Sequence, residues 1–225
     1  MSRTGARPVA LLTALGALAY TAWVLEVVAG TGLDPVQTYV SELAAADQPL
    51  GGLFRATDLA AGLLVLAGAV WALAVLDRRP WSVAGWAGLA LFGAATAADS
   101  RLPLSCKPTV DPECAARETA GLVPATHTAH AVSSSLAITG ALVGIVALTV
   151  AARRYGWWPP LARTGPALVV LELLATAWTL AAVAAFQAGR GTWSLGAGQR
   201  LQVLLVAGWL AVLAVSVARA ARERR

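Results

Sequence analysis

Residues 58–76, DLAAGLLVLAGAVWALAVL, decide the fold class, because one charged residue is followed by an unbroken apolar run. About 20 such residues, each rising about 1.5 Å, cross the roughly 30 Å hydrocarbon core of a membrane as an α-helix. Five more runs of similar character lie on either side of it, at approximately 9–29, 81–99, 126–151, 164–186 and 201–218. The sequence therefore predicts an all-α integral membrane protein, a bundle of six transmembrane helices.

The composition of the whole chain agrees with that class. Of its 225 residues, 58% are hydrophobic and only 13% are charged, and the mean hydropathy is +0.67. A soluble domain of this size would expose more apolar surface than water tolerates, and a disordered chain would carry more charge. Two cysteines are too few for a disulfide scaffold, and no apolar run alternates with period two as membrane β-strands do.

We expect a single compact membrane domain over residues 1–225, because no linker or change of composition divides the chain. Gly140 and Gly144 have the GxxxG spacing that lets a neighbouring helix approach closely. The first apolar run contains Ala17-Leu18-Ala19, which fits a signal-peptidase site. Cleavage there would leave residues 20–29 as a short apolar stub, so we expect an uncleaved anchor.

The cations predict the orientation of the bundle. With the N-terminus inside the cell, 11 of the 17 cations fall in cytoplasmic segments, namely Arg3, Arg7, Arg78, Arg79, Arg153, Arg154, Arg163, Arg219, Arg222, Arg224 and Arg225. Only two acidic residues, Asp77 and Glu223, share that side. The positive-inside rule then places both termini in the cytoplasm of a protein of the cell membrane. The net charge of +5 is thereby explained by topology, and no nucleic-acid partner is expected.

The loops on the opposite, extracytoplasmic side are the long ones, at residues 30–57, 100–125 and 187–200. Long acidic loops on one face are where binding sites are commonly built. Cys106 and Cys114 lie in the second of these loops, on the oxidising side of the membrane, so we expect them to form a structural disulfide.

Polar residues gather at the outer ends of the predicted helices. Asp58, Asp99, His127 and His130 lie at a similar depth, and the two histidines share one helix face at positions i and i+3. Together with a carboxylate from Asp99 or Asp58, they could hold a divalent metal such as zinc. Two other interpretations remain open: a hydrated network paired with Arg55 and Arg101, and a pocket for an organic ligand or lipid headgroup.

Two glutamates lie inside predicted spans. Glu26 is close enough to the outer end of its helix to reach the interface, whereas Glu172 is about 13 Å deep at about 1.5 Å per residue. A buried carboxylate is costly in a membrane unless it is neutral or paired. We expect either a protonated Glu172 that hydrogen-bonds a neighbour such as Thr139 or Ser135, or a role in proton relay or substrate contact.

Several short motifs follow one another along the chain: Tyr39-Val40-Ser41-Glu42-Leu43, Leu53-Phe54-Arg55-x-x-Asp58, the segment from Asp99 to Cys106, and His127-x-x-His130. Their order resembles the bacterial and archaeal membrane family called domain of unknown function 998, and the resemblance covers nearly the whole chain. It implies six helices and an extracytoplasmic polar face, and it implies no particular activity. More loosely, Ser41-Glu42 is similar to an element of Frag/DRAM/Sfk-type proteins, which are linked to lipid organisation. The acidic and histidine residues look like those of the ceramidase and adiponectin-receptor superfamily of membrane metal hydrolases.

Our leading hypothesis is a non-catalytic protein that binds or organises lipid-like ligands at the extracytoplasmic face, with membrane lipid as its partner. The candidate ligand-binding residues are Ser41, Glu42, Arg55, Asp58, Asp99, His127, His130 and Glu172. The alternative is a metal-dependent hydrolase in which His127, His130 and Asp99 hold the metal and Asp58 or Glu42 acts on water. A third hypothesis is a transporter with Glu172 as its proton site. The sequence leaves the oligomeric state open.

Overall fold

The computed structural model describes the backbone of residues 3–223 and the side chains of residues 5–222. Four residues that enter the charge count lie outside the described side chains: Arg3, Glu223, Arg224 and Arg225. All the regular secondary structure in the described part is helical, which confirms the predicted class. The helices are α1 (Arg3–Tyr20), α2 (Glu26–Ala29), α3 (Gly51–Val75), α4 (Pro80–Asp99), α5 (Pro112–Thr119), α6 (Ala125–Arg154), α7 (Pro159–Gln187) and α8 (Leu195–Glu223).

Six helical segments in the described part are long and apolar enough to cross a membrane, as the sequence predicts. They are Gly5–Ala29, Gly51–Val75, Pro80–Asp99, Ala125–Arg154, Pro159–Gln187 and Leu195–Arg222. The first combines α1 and α2 through a turn of 3₁₀ helix, Ala22–Leu25, and ends at Gly30, whose φ of 57° is easily adopted by glycine.

Several helices begin earlier than the hydropathy predicts. Helix α3 begins at Gly51 instead of residue 58, and α7 begins at Pro159 instead of residue 164. Hydropathy marks the part of a helix that lies in hydrocarbon, whereas the backbone hydrogen bonds continue into the polar interface. Proline in the first turn then sets the start of α4 and α7, because its missing N–H would have no intrahelical partner there.

The six spanning segments pack as a ring in chain order. Helix α1 contacts α3, α3 contacts α4, α4 contacts α6, and α8 closes the ring by contacting both α7 and α1. The seam between α6 and α7 is the most loosely packed of the six. Helices α6 and α7 are joined by residues 155–158, at the end opposite the long loops.

Glycines bring the backbones of α4 and α6 close together, as the spacing of Gly140 and Gly144 predicts. A Cβ atom on Gly140 would lie 2.5 Å from the backbone nitrogen of Phe92. A Cβ atom on Gly88 would lie 2.7 Å from the backbone nitrogen of Gly144. Both distances are far below van der Waals contact, so only glycine fits at this crossing.

The bundle interior is divided between an apolar half and a polar half. Away from the long loops it is filled by an apolar cluster that includes Trp86, Leu148, Leu161, Trp209 and Leu213, each at most 1% exposed. The polar half lies beneath the loops of residues 30–50 and 100–124. We call this end of the bundle the disulfide face.

Candidate functional site

Cys106 and Cys114 form the predicted disulfide, with a Cα–Cα distance of 6.0 Å. The second cysteine lies on the short helix α5, whose first turn is capped by Asp111. The Asp111 carboxylate accepts a hydrogen bond of 2.9 Å from the Glu113 N–H, which is the usual role of aspartate at a helix start. The bond and the cap together order the middle of the 100–124 loop.

Several contacts between described residues fasten the 100–124 loop to the 30–50 loop. The Ala46 N–H donates to the Leu104 carbonyl at 2.8 Å. The Lys107 ammonium pairs with the Asp47 carboxylate at 2.6 Å. The two loops therefore form one roof over the polar half of the bundle.

Glu42, a predicted ligand or catalytic residue, is buried inside this roof and is 0% exposed. Its carboxylate accepts hydrogen bonds from the Thr109 N–H at 2.8 Å, the Thr109 hydroxyl at 2.5 Å and the Tyr39 N–H at 3.1 Å. Burial raises the pKa of Glu42, while these donors and the Lys107 charge partly oppose the rise. The structure thus gives Glu42 a positioning role, because protein donors occupy both of its oxygens.

Arg55 is likewise committed to the roof. Its guanidinium donates to the carbonyls of Ala44 at 2.7 Å and Ala45 at 3.2 Å, at the end of a 3₁₀ turn, Val40–Ala44. Among the described residues it forms no ion pair with Asp58, which lies three positions further along α3. The predicted pairing of Arg55 with an aspartate is therefore not seen among the described residues.

An ion pair that the sequence analysis missed joins the first and last spanning segments. Arg200 contacts both Glu26 carboxylate oxygens at 2.6 Å, and both side chains are under 10% exposed. Arg200 also donates to the Thr38 carbonyl at 2.9 Å, which attaches the 30–50 loop to α8. The signal was available, because Glu26 and Arg200 both lie at the predicted outer ends of their helices.

Asp99, at the end of α4, is held by side chains of α6. It accepts hydrogen bonds from Ser133, and from Ser134 at 3.1 Å and 3.2 Å. The Nδ1 atom of His130 lies 3.1 Å from Asp99 and 3.0 Å from the Leu102 carbonyl. Because both of these partners are acceptors, Nδ1 carries a proton.

His127 has different surroundings, although it shares a helix face with His130. Its Nδ1 accepts a hydrogen bond of 3.1 Å from the Ser105 N–H, so a neutral ring carries its proton on Nε2. The nearest carboxylate oxygen to Nε2 belongs to Glu118 and lies 3.8 Å away, beyond hydrogen-bond distance. Nε2 is consequently buried with no hydrogen-bond partner among the described residues.

The predicted metal ligands His127, His130 and Asp99 do not converge. His130 adjoins Asp99, whereas His127 is turned toward Ser105 and Glu118. Nowhere in residues 5–222 do three His, Cys, Asp or Glu side chains lie where they could hold one metal ion. The i and i+3 spacing was compatible with a shared metal, but the 100–124 loop supplies each ring with its own partner.

A cavity of about 320 Å³ lies under the roof, between α6, α7 and α8. Its lining includes the polar side chains of Ser41, His127, Thr179 and Gln202. Thr179 Oγ1, like His127 Nε2, is buried with no partner among the described residues. The lining also includes the apolar side chains of Ile138, Leu180 and Val183, so it suits a molecule with a polar head and an apolar tail.

A smaller cavity of about 160 Å³ adjoins the first and reaches toward α1, α3 and α4. Asp58 and Asp99 line it, and so do the rings of Tyr20 and Trp23. Asp58 makes no hydrogen bond or ion pair with any described residue. The two cavities have five lining residues in common, namely Ser41, Ser134, Ile138, Gln199 and Gln202.

Glu172, a predicted ligand-binding residue, is 1% exposed and lines neither of these two cavities. Its Oε1 atom accepts a long hydrogen bond of 3.5 Å from Thr176, and Gln202 donates to Thr176 at 2.8 Å. The predicted neighbours were wrong, because Ser135 and Thr139 donate to backbone carbonyls of their own helix. A serine or threonine hydroxyl on a helix reaches the backbone carbonyl four residues earlier more easily than it reaches a side chain on another helix.

A third concavity, a groove of about 940 Å³, lies between α1 and α8. Its lining is almost wholly alanine, glycine, leucine and valine, with Arg7 and Arg222 at one end. Such a surface suits any acyl chain of the bilayer, so lipid contact in this groove would indicate nonspecific binding.

Comparison with known proteins agrees with the motif order. The model of a family described as protein of unknown function (DUF998) matches residues 13–216, which is most of the chain. No curated protein and no solved structure matches the chain. Any function therefore has to be inferred from the site itself.

Proposed function

This chain belongs to the DUF998 family of multi-pass membrane proteins of unknown function, and we propose that it binds a lipid-like ligand at the extracytoplasmic face without catalysing a reaction. The observation that carries the proposal is the larger cavity at the disulfide face. In it the unpartnered N–H of His127 and the unpartnered hydroxyl of Thr179 lie beside apolar side chains. An unpaired buried donor costs about 1–3 kcal/mol, and a ligand oxygen would relieve that cost.

The seam between α6 and α7 supplies a route from the bilayer. Ser135 of α6 and Leu180 of α7 both line the cavity and are both exposed, Leu180 by 61%. An amphiphile entering sideways would keep its tail against Leu180 and Val183 while its head passes the Ser135 hydroxyl. Lateral entry of this kind avoids moving an acyl chain through the polar roof.

The interior beyond the site favours binding over transport. On the side away from the disulfide face, Trp86, Leu148 and Leu161 belong to the packed apolar cluster. A transported polar solute would have to pass that cluster after leaving Glu172. The described residues therefore support a pocket with one opening more than they support a path with two.

The same residues give the hydrolase alternative an incomplete site. Asp99 and His130 adjoin, but no third ligand lies with them in residues 5–222. The carboxylate of Glu42, the second predicted catalytic residue, already accepts hydrogen bonds from Thr109 and Tyr39. The histidines are better explained as one ligand-facing donor, His127, and one partner of Asp99, His130.

The disulfide supports placing this face outside the cytoplasm. Disulfides persist in oxidising compartments and are rare in the cytosol. The positive-inside rule puts the same face outside the cytoplasm, by a count that does not involve the cysteines. We therefore place the ligand in the outer leaflet of the cell membrane.

Photolabelling tests the proposal. The protein is purified in a mild detergent with a phospholipid that carries a diazirine in its acyl chain, washed by detergent exchange and irradiated. We expect adducts on residues 131–138 and 180–183, and we expect His127→Ala to lose them while the neighbouring exposed Thr128→Ala keeps them. Adducts confined to the groove between α1 and α8, or labelling of His127→Ala equal to that of the wild type, would overturn the proposal.

A further inference from the structure

We propose that the ligand is zwitterionic and that its alkylammonium group occupies the smaller cavity, against Asp58. This inference rests on the proposed function, since it names the chemical class of the ligand bound at that same site. A phospholipid with an amine-bearing headgroup has the required arrangement, with phosphate oxygens next to the ammonium group.

The unpaired carboxylate of Asp58 favours a cationic group in the smaller cavity. Asp58 is half-buried in a spanning helix, it lines the smaller cavity, and it has no hydrogen-bond or ion-pair partner among the described residues. Asp99, on the same cavity wall, is already held by His130, Ser133 and Ser134. A carboxylate in a membrane interior is costly without a partner, and a cationic group would provide one.

The hydroxyl of Thr96 independently favours a cationic group in the same cavity. Thr96 is 7% exposed, it lines the same cavity, and its Oγ1 atom has no hydrogen-bond partner among the described residues. An N–H of a primary ammonium group, or the water that accompanies a cation, would satisfy this hydroxyl. Among the described residues that line the cavity, the unpaired Asp58 carboxylate and the unpaired Thr96 hydroxyl both attract a cation. The indole N–H of Trp23, which is also buried without a partner, suits an acceptor such as a phosphate oxygen next to the ammonium group.

The aromatic lining fits the same ligand. Tyr20 and Trp23 line the cavity, and aromatic faces attract ammonium groups, including quaternary ones. The Tyr20 ring is held edge-on against Phe92, with the ring centres 5.2 Å apart. Tyr20 is thus fixed in position by packing before a ligand arrives.

The size of the smaller cavity limits which part of the ligand it can hold, and its connection to the larger cavity indicates where the rest of the ligand lies. About 160 Å³ corresponds to roughly five waters at about 30 Å³ each, which accommodates a small alkylammonium group but no acyl chain. The larger cavity presents the His127 N–H, a donor suited to a phosphate or ester oxygen. Because the two cavities share five lining residues, the proposed zwitterionic headgroup would extend from His127 in the larger cavity to Asp58 in the smaller one.

Tryptophan fluorescence provides the test, because Trp23 lines the cavity. Short-chain phosphatidylethanolamine and short-chain phosphatidylglycerol are titrated into the detergent-solubilised protein, and the signal is assigned by its loss in Trp23→Phe. Choline and its neutral isostere 3,3-dimethylbutanol are compared in the same way. We expect the amine-bearing member of each pair to bind at least about tenfold more tightly, as a charge-assisted contact implies.

Asp58→Asn keeps the shape of the side chain and removes its charge, and Asp34→Asn serves as the matched control because Asp34 lines neither cavity. We expect the preference for the amine to disappear in Asp58→Asn and to persist in Asp34→Asn. Equal binding of choline and 3,3-dimethylbutanol by the wild type would overturn the inference without needing any variant. If photolabelling of α6 and α7 persists without a headgroup preference, the inference fails while the proposed function stands; absence of that labelling removes the proposed function itself.

Discussion

Glu42 and Thr109 lie 67 residues apart in the sequence, and two hydrogen bonds join them, from the Thr109 N–H at 2.8 Å and from its hydroxyl at 2.5 Å. This contact fastens the 30–50 loop to the 100–124 loop at a fully buried position. The sequence suggested a catalytic role for Glu42, whereas this contact gives it a structural role in the roof of the cavity.

Replacing Glu42 by Gln should change the pH dependence of stability. Because burial raises the pKa of Glu42, its ionisation is more costly in the folded state than in the unfolded state. Its contribution to stability is complete below the ordinary pKa of 4.5 and declines as the pH rises through the raised pKa. The advantage of the wild type over Glu42→Gln in thermal unfolding should therefore shrink from pH 4 toward higher pH, and an advantage that grows with pH contradicts this account.

Breaking the pair of Arg200 and Glu26 should destabilise the bundle strongly. Both side chains are buried, so Arg200→Met leaves an uncompensated carboxylate at a cost of about 3–5 kcal/mol. The double variant with Glu26→Gln removes that charge and should recover part of the loss. Thermal unfolding in detergent measures both variants, and equal stability of the single and double variants would show that the two side chains are not coupled.

Reducing the disulfide should loosen the roof and leave the helices intact. The closed ring is short, so the chain-entropy model assigns it only about 2–3 kcal/mol. In Cys106→Ser with Cys114→Ser, hydrogen exchange should accelerate in residues 100–124 and remain unchanged in α3 and α4. Collapse of protection throughout the bundle is the opposite result.

A methyl group at Gly140 should be costly, while one at Gly208 should not. The Cβ atom of Gly140→Ala meets the Phe92 backbone at 2.5 Å, whereas nothing lies within 4 Å of a Cβ atom on Gly208. Overpacking typically costs about 1–3 kcal/mol, and alanine otherwise favours a helix over glycine. Gly140→Ala should unfold at a lower temperature than Gly208→Ala, and the reverse order would place the tight crossing elsewhere.

The fold was readable from the sequence because a membrane imposes a simple rule. Long apolar runs must become helices, since backbone groups have no other partner in hydrocarbon. The rule does not locate helix ends, so α3 begins at Gly51, well before the apolar run that starts after Asp58. Gly140 and Gly144 also indicated a close crossing, but only the structure identifies α4 as the partner.

The site was only partly readable because it depends on loops. The spacing of His127 and His130 correctly placed both rings on one face of α6. Their partners come from residues 102 and 105 of the 100–124 loop, whose path no periodicity describes. Hydrophobic and helical patterns report local geometry, whereas the contacts of Glu42 with Thr109 join distant parts of the chain.

We propose that the larger cavity holds a lipid-like ligand, and native mass spectrometry of the purified protein tests this claim. Ala131 lines the cavity and Val132, its exposed neighbour, does not, so Ala131→Phe fills the site while Val132→Phe controls for added bulk. We predict that the wild type and Val132→Phe retain bound phospholipid after detergent exchange and that Ala131→Phe does not. Equal retention by all three proteins would contradict the claim.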